Sequence, residues 1–270
     1  MNSLHVRPAA VAGMFYPESA AVLAQELRQM LAVAPQRLDE RPKAIIAPHA
    51  GYIYSGPIAA SVYAPLAKWR QSIRRVVLLG PTHRVAVRGL ALPSSTAFST
   101  PLGIVPVDQQ GVAAIADLPQ VLTYEPTHLG EHSLEVQLPF LQTVLEDFSL
   151  IPLAVGNASA EQVAEVLGRL WGGDETLIVI SSDLSHYLSY DQARRIDTQT
   201  AQHIVDLDAC VDHRQACGAT PVNGMLLAAR QHGLVAHLID LRNSGDTAGD
   251  KMRVVGYGAF AFMEAKDHVH

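Results

Sequence analysis

KAIIAPHAGYIYSG, residues 43–56, joins a short apolar run to a histidine, two glycines and two tyrosines. KAIIA (43–47), with its β-branched residues, reads as a buried parallel strand, which places His49 two residues beyond a strand end. RVVLLG (75–80) and TLIVIS (176–181) read the same way. His83 follows the first of these, and Asp183 and His186 follow the second. Ligands of open α/β sheets bind in the crevice outside the carboxyl ends of the strands, so these side chains are expected at one rim.

Helical patterns alternate with the strands. Leu23, Leu27, Met30 and Leu31 form an amphipathic stripe after Pro17, and further helices are expected over 57–69, 131–147, 159–171, 191–207 and 221–233. Residues 91–108, rich in Pro, Ser and Thr, predict loops or a small hairpin over one end of the sheet. RVVGYGAFAFM (253–263) alternates with period two and predicts a strand near a sheet edge. The alternation argues for βαβ units and a three-layer α/β/α fold with a mostly parallel sheet, in a single domain over 1–270.

Composition removes several function classes. The chain has 270 residues, 49% hydrophobic and 17% charged, with a formal net charge of −6. No basic run offers a footprint for nucleic acid, and no apolar stretch is long enough to span a bilayer. A cytoplasmic protein with neither nucleic acid nor membrane as partner is expected. Two cysteines, Cys210 and Cys217, are too few for a disulfide scaffold.

Histidine at such a rim suits two tasks, as a transition-metal ligand or as a general acid or base. Gly51 and Gly56 permit a tight turn, while Tyr52 and Tyr54 offer either pocket walls or ordinary packing. In HLGEHSLEVQLPF (128–140), His132 and Glu135 stand at i and i+3 and are read as substrate-contacting or supporting residues. The alternative there is that Glu131 and Glu135 complement a helix dipole. Cys217 precedes a helix with Thr220 as expected N-cap and Pro221 in the first turn, a setting that favours thiolate, although free cysteine is also often buried and inert. Cys210, His203, His213 and His232 are given no role, and His268 and His270 are read as tail residues. SSDLSH (181–186) lacks the glycines of a nucleophile elbow, which argues against hydrolase chemistry at Ser185.

APHAGYIYSG (47–56), LLGPTHR (78–84), GEHSLEVQLPF (130–140), SSDLSH and ACGATPV (216–222), in this order, resemble the signature segments of the Memo protein family. The resemblance implies a fold similar to class III extradiol dioxygenases, which are non-haem iron enzymes. It implies His49, His83 and Cys217 as metal ligands, His186 as acid/base histidine and Asp183 as its pocket neighbour. In place of the pocket tryptophan of animal members, GMFYP (13–17) offers Phe15 or Tyr16. Tyr54, His132, Glu135 and Phe15 are the expected substrate contacts.

Thiolate in place of a carboxylate softens such a site, so Fe(II) or Cu(I) is expected, with zinc as a further candidate. Three functions follow as expectations. The first is a dioxygenase-like oxidoreductase acting on a small molecule. The second is a non-enzymatic pocket for a phosphate, carboxylate or peptide ligand, and the third is an iron- or copper-handling protein. Prokaryotic members of the family often accompany a radical-SAM protein and an AMMECR-type protein, which implies a functional link to them.

Overall fold

The structure, a computed structural model, describes residues 5–36 and 38–265; His268 and His270 lie outside the described residues. Its strands are β1 (Val6–Arg7), β2 (Ala44–Ala47), β3 (Arg75–Pro81), β4 (Leu90–Leu92), β5 (Ala97–Thr100), β6 (Gly103–Pro106), β7 (Val121–Thr123), β8 (Ser149–Val155), β9 (Thr176–Ser181), β10 (His186–Leu188), β11 (Leu234–Asn243) and β12 (Val254–Glu264). The helices are α1 (Ala20–Val33), α2 (Tyr52–Tyr63), α3 (Gln109–Ala113), α4 (Pro126–Leu129), α5 (Leu138–Val144), α6 (Ala160–Leu170), α7 (Tyr190–Val205) and α8 (Ala219–Gln231).

Nine strands form one sheet in the order β10-β12-β2-β9-β3-β8-β4-β7, with β11 also paired to β12. The middle is parallel, since β2, β9, β3 and β8 all run the same way. Both faces of these strands are apolar, as burial on two sides requires. Ile45, Val76, Leu78 and Val179 face a core shared with Leu23 and Leu27 of α1 and Ile58 and Val62 of α2. Their neighbours Ile46, Val77, Leu79 and Ile180 face Val163 and Leu167 of α6 and Met225 and Leu226 of α8. Helices thus cover both faces, giving the expected three layers. Residues 97–106 form the small hairpin, which with β1 makes a separate three-stranded sheet. Among the described residues no helix is long and apolar enough to cross a membrane.

Four local expectations are corrected. β12 is not at an edge, because Phe260–Phe262 pairs with β2 on one side and with β11 on the other, while Val254 and Val255 pair with β10. Its two faces carry Tyr257, Ala259 and Ala261 on one side and Phe260 and Phe262 on the other, and both are buried in core clusters. The helix expected over 131–147 is a turn, then a 3-10 segment (Glu135–Gln137), then α5. The Glu131 carboxylate takes the N–H groups of His132 and Ser133, which stand in the turn ahead of α5. α2 begins at Tyr52, ahead of Pro57, and ends at Tyr63, where a 3-10 turn takes over. α8 begins at Ala219 with Gly218 as N-cap, so Thr220 lies inside the helix. A Cβ at Gly218 would fall 2.7 Å from that of Ser182, and only glycine lets this helix start so close to the end of β9.

Candidate metal centre

The parallel strands deliver their histidines to one rim. His49, His83 and His132 offer ligand nitrogens that all lie within 4.8 Å of one another. The rings are in mutual contact, with centroids 5.1 Å apart for His49 and His83, 5.4 Å for His49 and His132, and 4.5 Å for His83 and His132.

Each of the first two rings has one nitrogen tied from behind. The Ser181 hydroxyl donates to the Ser133 carbonyl at 2.6 Å, so its oxygen accepts from Nδ1–H of His49 at 2.9 Å. Gln137 Nε2 donates to the same oxygen at 2.7 Å, which helps fix that orientation. His83 Nδ1 donates to Glu131 Oε1 at 2.8 Å, while its backbone N–H donates to Oε2 at 2.6 Å. With Nδ1 protonated, Nε2 of each ring carries the lone pair, the arrangement that outer carboxylate and hydroxyl partners impose on metal-binding imidazoles. A Cβ at Gly80 would fall 2.8 Å from Ser133 Oγ, so the close approach of β3 to this turn requires glycine.

Electrostatics favour neutral rings at His49 and His132. Burial, followed by the neighbouring His83, His132 and His186, holds His49 well below the usual histidine range. Burial and His83 bring His132 down to about 4. Burial alone would raise Glu131, but its hydrogen bonds to His83 and Ser133 and the His83 charge outweigh this and hold it at about 2. The result is a Glu131 carboxylate fixed as an anion behind the cluster, with the His49 and His132 rings held unprotonated.

A cavity of about 760 Å³ opens in front of this cluster. Phe15, Tyr54, His132, Asp183 and His186 all line it. Phe15, rather than Tyr16, takes the wall position, with its ring 4.6 Å from that of His132. Asp183 Oδ1 accepts the His49 backbone N–H at 2.7 Å, and burial raises its carboxyl to about 6 despite that bond. His186 donates Nδ1–H to the Leu184 carbonyl at 2.8 Å, leaving Nε2 free.

Two expected residues sit differently. Glu135 does not line the cavity; it is fully buried on the far side of the turn, ion-paired with Arg7 and bonded to Tyr16 and to the backbone of Ala10 and Val11. The substrate-contact reading of Glu135 is therefore corrected. Cys217 Sγ approaches His49 Nε2 to 3.3 Å but falls outside the group of three histidines. Burial and the Asp183 charge push its thiol up to about 12, against the thiolate expected from the helix end.

A Memo-like protein family model matches residues 7–261. The chain belongs to the Memo family. Curated Memo-family relatives align along nearly their whole length: a MEMO1 family protein of Aquifex aeolicus is 37% identical, with 96% of this chain and 100% of the relative covered. One of Methanosarcina barkeri is 36% identical over 94% and 98%, and one of Archaeoglobus fulgidus 35% over 93% and 97%. Among solved structures, an uncharacterized protein from Escherichia coli K12 superposes with a TM-score of 0.54 at 14% identity, covering 80% of this chain and 98% of that one, a likeness of fold.

In this Memo-family chain, sequence reasoning missed Glu131, Ser181 and the C-terminal wall. Ser244, Asp250, Arg253 and Tyr257 line the cavity from segments without a motif, and Tyr187 stands there in left-handed backbone with φ 58°. For Glu131, the only sequence signal was an acidic residue beside His132.

Proposed function

We propose that this chain is a non-haem metal-dependent redox enzyme that holds Fe(II) or Cu(I) at the histidine rim and acts on a small molecule in the cavity. The observation that carries this reading is the pair of imidazoles, His49 and His83, each with Nδ1 tied from behind, leaving Nε2 as the lone-pair nitrogen, that of His49 beside the Cys217 sulfur. Cys217 is the proposed third donor, and His132 supports the pair from the cavity side. A bound ferrous or cuprous ion would supply one-electron redox chemistry to the site. Around it, Phe15 and Tyr54 orient a flat substrate, and burial of His49 keeps water from that ring. His186 Nε2 takes or gives a proton at the cavity wall, and the raised Asp183 carboxyl is a second proton holder beside it.

The test is elemental analysis of untagged protein purified without oxygen and reconstituted with Fe(II) or Cu(I). One equivalent per chain, lost in His49→Ala, supports the reading; no metal in the wild type after reconstitution defeats it. Unchanged affinity in Cys217→Ser excludes the thiol and leaves His132 as third ligand. A second reading, a pocket for an anionic ligand, draws on Arg253, which lines the cavity and whose guanidinium lies over the Tyr187 ring with no carboxylate ion pair among the described residues. Binding of a carboxylate or phosphate compound that persists in His49→Ala protein without metal would favour it.

A further inference from the structure

A second set of ligand-type side chains lies where α7 ends, and none of its members lines the histidine cavity. His203 is in the last turn of the helix. Leu207 then takes left-handed backbone, φ 57°, and the Asp208 N–H returns to the His203 carbonyl at 2.7 Å, closing the helix end. The Cys210 N–H bonds the Asp208 carbonyl at 2.8 Å, so the backbone carrying all three side chains is pinned.

Their donor atoms form a triangle. His203 Nδ1 and Asp208 Oδ2 are 3.2 Å apart, Cys210 Sγ and Oδ2 3.2 Å, and Sγ and Nδ1 3.4 Å. Tetrahedral zinc with its usual bond lengths to N, O and S sets ligand pairs about 3.3–3.6 Å apart, so the triangle has to widen by only about 0.1–0.3 Å. The Arg230 guanidinium stands 4.0 Å from Asp208 Oδ1 and leaves Oδ2 to the triangle. His203 and Asp208 side chains are 27% and 50% exposed, so an ion can enter and a fourth position faces solvent.

We propose that His203, Asp208 and Cys210 form a zinc site separate from the histidine rim, with water in the fourth position. One nitrogen, one oxygen and one sulfur donor favour zinc over calcium or magnesium, which take oxygen ligands. Binding exchanges the Cys210 thiol proton for the metal and releases that proton to solvent.

The test compares full-length wild type with Cys210→Ser in a Zn²⁺ titration against a chromophoric chelator, with Co²⁺ as spectroscopic substitute. Both proteins keep His268 and His270, so any contribution from that tail cancels. The expected result is one fewer zinc equivalent in Cys210→Ser and loss of a thiolate–cobalt charge-transfer band that His49→Ala/Cys217→Ser protein retains. Asp208→Asn, which keeps the thiol, should bind zinc at least tenfold more weakly, roughly the scale of losing a supporting ligand interaction. Equal zinc counts in wild type and Cys210→Ser overturn the proposal. So does unchanged affinity in Asp208→Asn, or binding only at millimolar zinc, an adventitious ion only.

Discussion

Glu131 and Glu135 are four residues apart in one short segment, both buried and both bonded on several sides, yet they serve opposite halves of the molecule. Glu131 turns toward the rim and gathers His83 together with the backbone of His132 and Ser133. Glu135 turns away and ties down the N-terminal segment through Arg7, Ala10, Val11 and Tyr16. The difference lies in the partners. Glu135 is spent on groups that have no free valence left, whereas Glu131 fixes a ring whose other nitrogen remains open. A buried carboxylate marks a functional site when what it orients still has something to offer.

The strongest way to break this comparison is Glu135→Ala. Removing one partner of a buried ion pair leaves the Arg7 charge uncompensated, and unfolding by denaturant should show a loss of about 3–5 kcal/mol. Metal affinity at the rim, measured on the folded fraction, should stay within a few-fold of wild type; a selective loss there would erase the distinction.

Acid sharpens it next. The His128 carbonyl accepts from Arg7, and burial brings its imidazole down to about 4. Between pH 6.5 and 4 the folded chain then binds fewer protons than the unfolded one, so stability rises with pH across that window and is lost on acidification. His128 contributes on the order of 3 kcal/mol to this slope. A His128→Gln variant should show a flatter dependence of stability on pH from 7 to 4; an unaltered slope would remove His128 as its source.

The smallest effect on stability and the most specific effect on function belong to Glu131→Gln. Loss of a partner behind a ligating imidazole typically costs 10–100-fold in metal affinity. Competition against a chelator should read that loss at the rim. If Glu131→Gln binds metal as wild type does, the carboxylate is structural and the two glutamates are alike after all.

Much of this architecture could be read in the chain. KAIIA, RVVLLG and TLIVIS appear as β2, β3 and β9, and the residues that follow them, His49, His83, Asp183 and His186, reach one cavity because a parallel sheet sends its strand ends to the same side. What was not legible depends on distant partners. Glu131 acquires its role from His83, and Ser181 from His49 and Ser133, contacts that no local spacing encodes. Period two in β12 could not say whether its second face met water or α7, and the helix pattern over 131–147 could not register a side chain that captures the backbone of its own first turn.

The pairing of β12 with β2 also has a consequence for biosynthesis. Ala44–Ile46 finds one of its two hydrogen-bonding neighbours in Phe260–Phe262, and Val255 and Tyr257 of the same strand close the cavity wall. As the chain leaves the ribosome, the His49 strand therefore waits with one edge open until most of the polypeptide has been made. Long-range pairing of this kind is slow to form and exposes edges in the interim. The pocket becomes complete only when translation has passed residue 257, so a truncated or stalled product has no finished chamber to load.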